Sequence, residues 1–109
     1  MKRLEEIIGY TFQDASLLTN ALTHSSYANE SGRHIASNER LEFLGDAVLS
    51  IVVSDHLFRY FTHLPEGELT RTRAALVCEE SLHEVALALG LGSYLRLGKG
   101  EDAGGGRSR

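Results

Sequence analysis

An all-α domain is the fold class this sequence predicts, on three observations. Sustained alternation of β-branched and polar residues is nearly absent, helix start and stop signals recur, and apolar residues return at helical spacing through the middle of the chain. With 109 residues and 42% hydrophobic content, the chain suits one domain with a core and is too short for two ordinary ones.

The elements follow in order. A short helix is expected from Arg3 to Ile8, stopped at Gly9, and Asp14 is placed to cap a second from Ala15 to about Leu22. Thr23 to Ser37 reads as irregular, because His24, Ser25, Ser26, Asn29, Ser31 and Gly32 favour local side-chain bonds over helix continuation. Ser37 or Asn38 can cap a long central helix running to about Phe61. Its second half is almost wholly apolar, so neighbours should cover most of its sides and make it the spine of a bundle. Pro65 and Gly67 mark a turn. Helices are then expected from Glu68 to about Val77 and from Glu80 to Leu89, with Gly90 or Gly92 as the stop. Residues 98–109 hold five glycines and no large apolar side chain, and read as a mobile loop or tail after a domain of residues 1–97.

The central helix carries the chemistry. In the run Asn38-Glu39-Arg40-Leu41-Glu42-Phe43-Leu44-Gly45-Asp46, three carboxylates share one arc, while Leu41, Leu44, Val48, Ile51 and Val52 gather opposite as the expected core face. Like charges one turn apart destabilise a helix by roughly 0.2–0.5 kcal/mol per pair, and burial adds to that, so a hard divalent cation, Mg²⁺ or Mn²⁺, is a natural compensation. Carboxylates spaced as Glu42 and Asp46 are can reach one site together from a rigid helix. A solvated acidic stripe accounts equally well for that spacing taken alone.

Composition narrows the classes. One cysteine, Cys78, excludes an intramolecular disulfide, no Cys/His spacing suggests zinc, and Cys78 reads as a small core residue in a reducing cytoplasm. No apolar run approaches the roughly 18 residues of a membrane span, so a soluble cytoplasmic chain is expected. The net charge of −4 gives no reason of its own to expect nucleic acid. The sequence around Ser25 and Ser26 has no strand-turn-helix elbow, which argues against a serine hydrolase despite the adjacent His24. His24 is expected to bond the loop, and His34, His56, His63 and His83 have neither metal spacing nor a nucleophile beside them.

The full string Asn38-Glu39-Arg40-Leu41-Glu42-Phe43-Leu44-Gly45-Asp46-Ala47-Val48 resembles the signature helix of the ribonuclease III family. Ala21-Leu22-Thr23-His24-Ser25-Ser26-Tyr27-Ala28-Asn29-Glu30 looks like that family's preceding loop, and Glu66-Gly67-Glu68-Leu69-Thr70-Arg71 like the start of its next helix. The resemblance spans nearly the whole chain. It implies a helical endonuclease domain that forms a homodimer, binds double-stranded RNA, and uses Mg²⁺, with Mn²⁺ able to substitute, to leave 5′-phosphate and 3′-hydroxyl ends in rRNA and mRNA processing. Carried over by motif, Glu42 is a metal ligand and Asp46 a ligand and catalytic carboxylate. Glu39 and Glu66 would support the same acidic valley.

The resemblance also gives Phe43 a partner pocket in the dimer, although an ordinary core Phe is the plainer reading of a lone aromatic. Gly45, costing up to about 1 kcal/mol relative to Ala inside a helix, suggests close approach of another backbone. Arg71 and Arg73 could touch phosphates, as exposed arginines also do without RNA. Arg40 is expected to pair with a carboxylate.

Family members carry a second acidic pair on a later helix that this sequence does not reach. The expectation is therefore a bundle lacking its closing helix, half a metal site, an exposed apolar strip, and little or no cleavage by the chain alone. A catalytically silent RNA-binding or assembly module of the same fold is the alternative.

Overall fold

The computed structural model describes residues 2–32 and 34–108. Seven α-helices follow one another: α1 (Lys2–Ile8), α2 (Ala15–Ala21), α3 (Ser25–Glu30), α4 (Glu39–Tyr60), α5 (Glu66–Val77), α6 (Glu79–Leu89) and α7 (Lys99–Ala103), with 3₁₀ turns at Leu91–Tyr94 and Gly106–Ser108. No strand occurs among the described residues. A parallel bridge joins Thr23 to Arg96. The all-α expectation is thus met.

Local chemistry explains most boundaries. Asp14 caps α2 by accepting the Ser16 amide at 3.0 Å. Gly90 ends α6 in the left-handed region at φ 68°, where a residue without Cβ is unstrained. Two segments differ from the sequence reading. Ser25–Glu30 is helical because His24 acts as its N-cap, Nδ1 accepting the Ser26 amide at 3.1 Å; His24 does bond the loop.

The Gly-rich stretch read as a loop instead forms α7 and the final 3₁₀ turn. The Gly98 amide donates to Ser26 Oγ at 2.9 Å and the Lys99 amide to Glu30 Oε1 at 3.0 Å. Arg107 Nη1 donates to the carbonyls of Gly92 and Leu95. A five-residue helix is unstable alone, and these long-range bonds hold it. Arg109, the last of that stretch, lies outside the described residues.

The core sits where α1, α2 and the turn after α6 meet. Leu4, Leu18 and Leu22 are buried there, with Phe12, Leu91, Tyr94 and Leu95 packed around them. Thr23 is wholly buried beside them, its Oγ1 donating to the Thr19 carbonyl at 2.6 Å. Arg96 lies 4.3 Å above the centre of the Tyr27 ring.

The central helix is not the covered spine expected of it. Only Leu57 of α4 is buried, against α5, whereas Leu44, Val48, Ile51, Val52 and Phe58 are between 52% and 75% exposed. The face expected to be core is an open apolar strip. Cys78, expected in the core, is exposed at the junction of α5 and α6.

Candidate metal and RNA site

Glu39, Glu42 and Asp46 all lie on α4, three and four residues apart, and all three are exposed. The desolvation cost anticipated for them therefore does not arise. Glu39 and Glu42 occupy the first turn, where the positive end of the helix dipole favours each carboxylate by about 0.3–1 kcal/mol. Helix geometry brings Glu42 and Asp46 to adjacent positions on one face.

Glu66 starts α5 and lines a groove with Ser54, Leu57, Phe58, Leu69 and Arg73, about three turns along α4 from Asp46. It does not join the pair. Among the described residues, no group of three or more His, Cys, Asp or Glu is placed to hold a metal ion.

The flanking residues fall out as follows. Phe43 is 81% exposed, which removes the reading of an ordinary core ring within this chain. Gly45 faces open space, with nothing within 4 Å of a Cβ built there, so no backbone among the described residues accounts for it. Arg71 forms an exposed ion pair with Glu68. Arg73 is half-buried and turns onto α4, Nη1 donating to Ser54 Oγ at 2.9 Å, so in this chain it ties α5 to α4. Arg40, expected to pair with a carboxylate, is exposed and in no ion pair formed among the described residues.

Elsewhere, the Ser81 hydroxyl and amide beside Cys78 draw its thiol below the ordinary thiol range. No helix of the described residues is long and apolar enough to cross a membrane.

The residues that sequence reasoning missed are those that hold the acidic helix. Asn38 stands at the N-cap position, yet its side chain makes no cap bond; Nδ2 donates instead to the Ala21 carbonyl at 2.9 Å. Ser37 Oγ stands 3.4 Å from the Glu39 amide in its place. Asn20 Nδ2 donates to the carbonyls of Ala36 and Ser37 at 2.8 and 3.1 Å. A capping asparagine was legible, but nothing in the letters shows that its amide would serve another helix.

The fold and the exposed turns of α4 define the class as an all-α domain that presents two carboxylates one helical turn apart beside an exposed aromatic ring. Comparison with known proteins makes this specific. Residues 14–109 match the Ribonuclease-III-like family, and the chain belongs to the ribonuclease III family. It is 53% identical over 109 residues to Ribonuclease 3 of Listeria welshimeri, and 56% identical over 108 residues to that of Oleidesulfovibrio alaskensis. These alignments cover 99% of this chain and 48% and 47% of the relatives, so the chain spans about half their length.

Among solved structures, the nuclease domain of ribonuclease III from Campylobacter jejuni superposes with a TM-score of 0.89 at 42% identity, covering all of this chain and 71% of that one. A second structure of that domain, with a TM-score of 0.88 at 43% identity, covers 97% of this chain and 71% of its own; it shows flexibility in a region involved in dimer formation.

Proposed function

We propose that this chain supplies the carboxylate-bearing part of a Mg²⁺-dependent endonuclease domain for double-stranded RNA, acting in cytoplasmic rRNA and mRNA processing. The observation that carries the reading is the intact pair Glu42 and Asp46 on α4 in a chain whose residues 14–109 match the family.

The donor set fits the ion. Mg²⁺ characteristically binds through one or two carboxylates, keeps several waters and takes phosphate oxygens for the rest, and Glu42 and Asp46 offer two hard oxygen donors open to solvent and substrate. When bound, such an ion shields phosphoryl charge, lowers the pKa of an attacking water and steadies the leaving oxygen. Glu42 and Asp46 would hold it, from positions that one rigid helix keeps together. Glu39, one turn before Glu42, is placed to accept hydrogen bonds from water or a ribose hydroxyl. Glu66, apart from the pair in this chain, has a supporting role on the α5 side. Products bear 5′-phosphate and 3′-hydroxyl ends. Arg71, exposed and paired with Glu68 through Nη2 alone, keeps N–H donors for a phosphate, and Arg73 is held toward α4 by its bond to Ser54.

The active form is a homodimer, supported by the exposed Phe43 ring and the open strip on α4. With two carboxylates rather than a larger set, the 109-residue chain alone cleaves little. That same absence of a third ligand among the described residues favours a second reading, a catalytically silent RNA-binding or assembly module.

Joining this chain to the remaining sequence of the Listeria welshimeri relative separates the two. The chimera should cut double-stranded RNA in Mg²⁺ and lose at least about a hundredfold in rate with Glu42→Ala or Asp46→Ala, on the scale of removing a directly acting group. Cutting unchanged in both variants overturns the metal-ligand roles. RNA binding without cutting establishes the silent module.

A further inference from the structure

The acid-bearing end of α4 has almost no lateral support. Residues 42–48 are exposed, and the contacts with α5 lie further along, around Ser54, Leu57 and Phe58. Beyond the grip of α5 on its far half, the direction of this end is set by the chain that enters it, residues 36–38.

That entry is held by the end of α2. Asn20 Nδ2 donates to the carbonyls of Ala36 and Ser37, Asn38 Nδ2 donates to the Ala21 carbonyl, and the Asn38 amide donates to the Thr23 carbonyl at 2.8 Å. The Thr23 anchor is itself fixed. It is completely buried, and its neighbours Leu22 and His24 exchange backbone bonds with Arg96 at 2.8 and 3.0 Å. From this clamp the helix ladder starts directly at a proposed ligand, because the Asn38 carbonyl accepts the Glu42 amide at 2.8 Å.

Asn38 makes this tether and no capping bond of its own, although asparagine is among the best capping residues. The side chain thus holds one helix against another where it could have stabilised its own. Leverage makes the arrangement consequential. Asp46 lies eight residues beyond Asn38, about 12 Å along the axis, so a tilt of roughly 10° at the clamp moves its carboxylate by about 2 Å. Ligand geometry tolerates about 0.5 Å.

We propose that Asn20 and Asn38 are positioning residues, whose amides clamp the entry of α4 so that Glu42 and Asp46 present their oxygens together to a divalent cation. The proposal rests on the reading of Glu42 and Asp46 as metal ligands.

Titration of the 109-residue chain with Mn²⁺, followed by loss of the free-ion EPR signal, tests it with no RNA and no turnover. Asn38→Ser offers a capping hydroxyl in place of the amide but cannot reach Ala21, and Asn20→Leu keeps the volume without the donor. Each should weaken Mn²⁺ binding about tenfold, the scale of losing a group that orients ligands, at unchanged helical circular dichroism. Added to Glu42→Ala, neither should weaken it further.

Leu57→Ala loosens α4 against α5 without touching the clamp and should stay within about twofold of the parent chain, because no ligand is reoriented. Affinities within about twofold in Asn38→Ser and Asn20→Leu overturn the clamp and leave the ligand roles standing. An equal loss in Leu57→Ala reduces the effect to general stability and also overturns it. If the parent chain binds no Mn²⁺, or Glu42→Ala binds it as the parent does, the ligand reading fails and the clamp with it.

Discussion

Leu18 illustrates how much single residues carry in so small a core. Together with Leu4 and Leu22 it is no more than 6% exposed, and these three form the buried cluster between the first helices and the turn after α6. Leu18→Ala should lower stability by about 2–5 kcal/mol in urea titration; a change under about 1 kcal/mol would mean that the site collapses around the smaller side chain.

Asp14 gives a pH-dependent counterpart. Its bonds from the Ser16 hydroxyl and amide hold the carboxyl below its ordinary value of 3.8. A depressed folded value contributes stability above the unfolded pKa, and that contribution is lost as pH falls through the folded one. The stability gap between the parent chain and Asp14→Ala should therefore be widest near neutrality and close below pH 3.8. A gap unchanged at low pH would assign the cap to the uncharged side chain. Sequence reading found Asp14 and its role because a cap is a local interaction. It misplaced Cys78, because burial depends on which helices arrive nearby.

At the scale of elements, α4 separates residues that matter to the fold from residues that matter to assembly. Leu57→Ala should cost the folded monomer about 2–5 kcal/mol, since Leu57 is 4% exposed against α5. Ile51→Ala, at 69% exposure, should fall within about 0.5 kcal/mol in dilute chemical denaturation. Equal losses would show that the strip is covered in the monomer.

The long and well-punctuated helices were legible to within two residues: Glu39–Tyr60 against an expected end near Phe61, and Glu79–Leu89 against an expected start at Glu80. The short α1 and α2 were legible as closely, but α3 and α7 were not. Ser25–Glu30 depends on a histidine cap, and Lys99–Ala103 contains Gly100 and is held from outside itself by Ser26, Glu30 and the Arg107 pair with Asp102. At Gly98 a Cβ would collide with the Glu30 carboxylate and the Ser26 carbonyl, an approach that the glycine count alone does not reveal.

The whole molecule exposes more surface than its mass warrants. Its accessible area is 8237 Å², against about 6,000 Å² for a compact monomer of this size. Its radius of gyration is 16.2 Å against about 13 Å. Much of the excess is apolar and lies on α4, and a standard interface needs only about 800 Å² from each partner. Sedimentation should accordingly show concentration-dependent dimers. Phe43→Ala should weaken association at least about tenfold, as loss of an aromatic anchor does. An unchanged association constant removes Phe43 from the interface.

By itself the sequence determined the helical class, the principal helix boundaries, the family, and the placing of Glu39, Glu42 and Asp46 along one helix face. The class, the boundaries and the placing follow from spacing and side-chain type within a few turns of chain, and the family from the resemblance of whole motifs such as Asn38 to Val48. Tertiary structure alone decided that the acidic turns stand exposed, that Glu66 lies apart from Glu42 and Asp46, and that the apolar face of α4 is open. It also decided that Asn20 and Asn38 tie α4 to α2. Those outcomes depend on which helices meet, and helix meetings are set by contacts between residues far apart in the chain, which no local periodicity encodes.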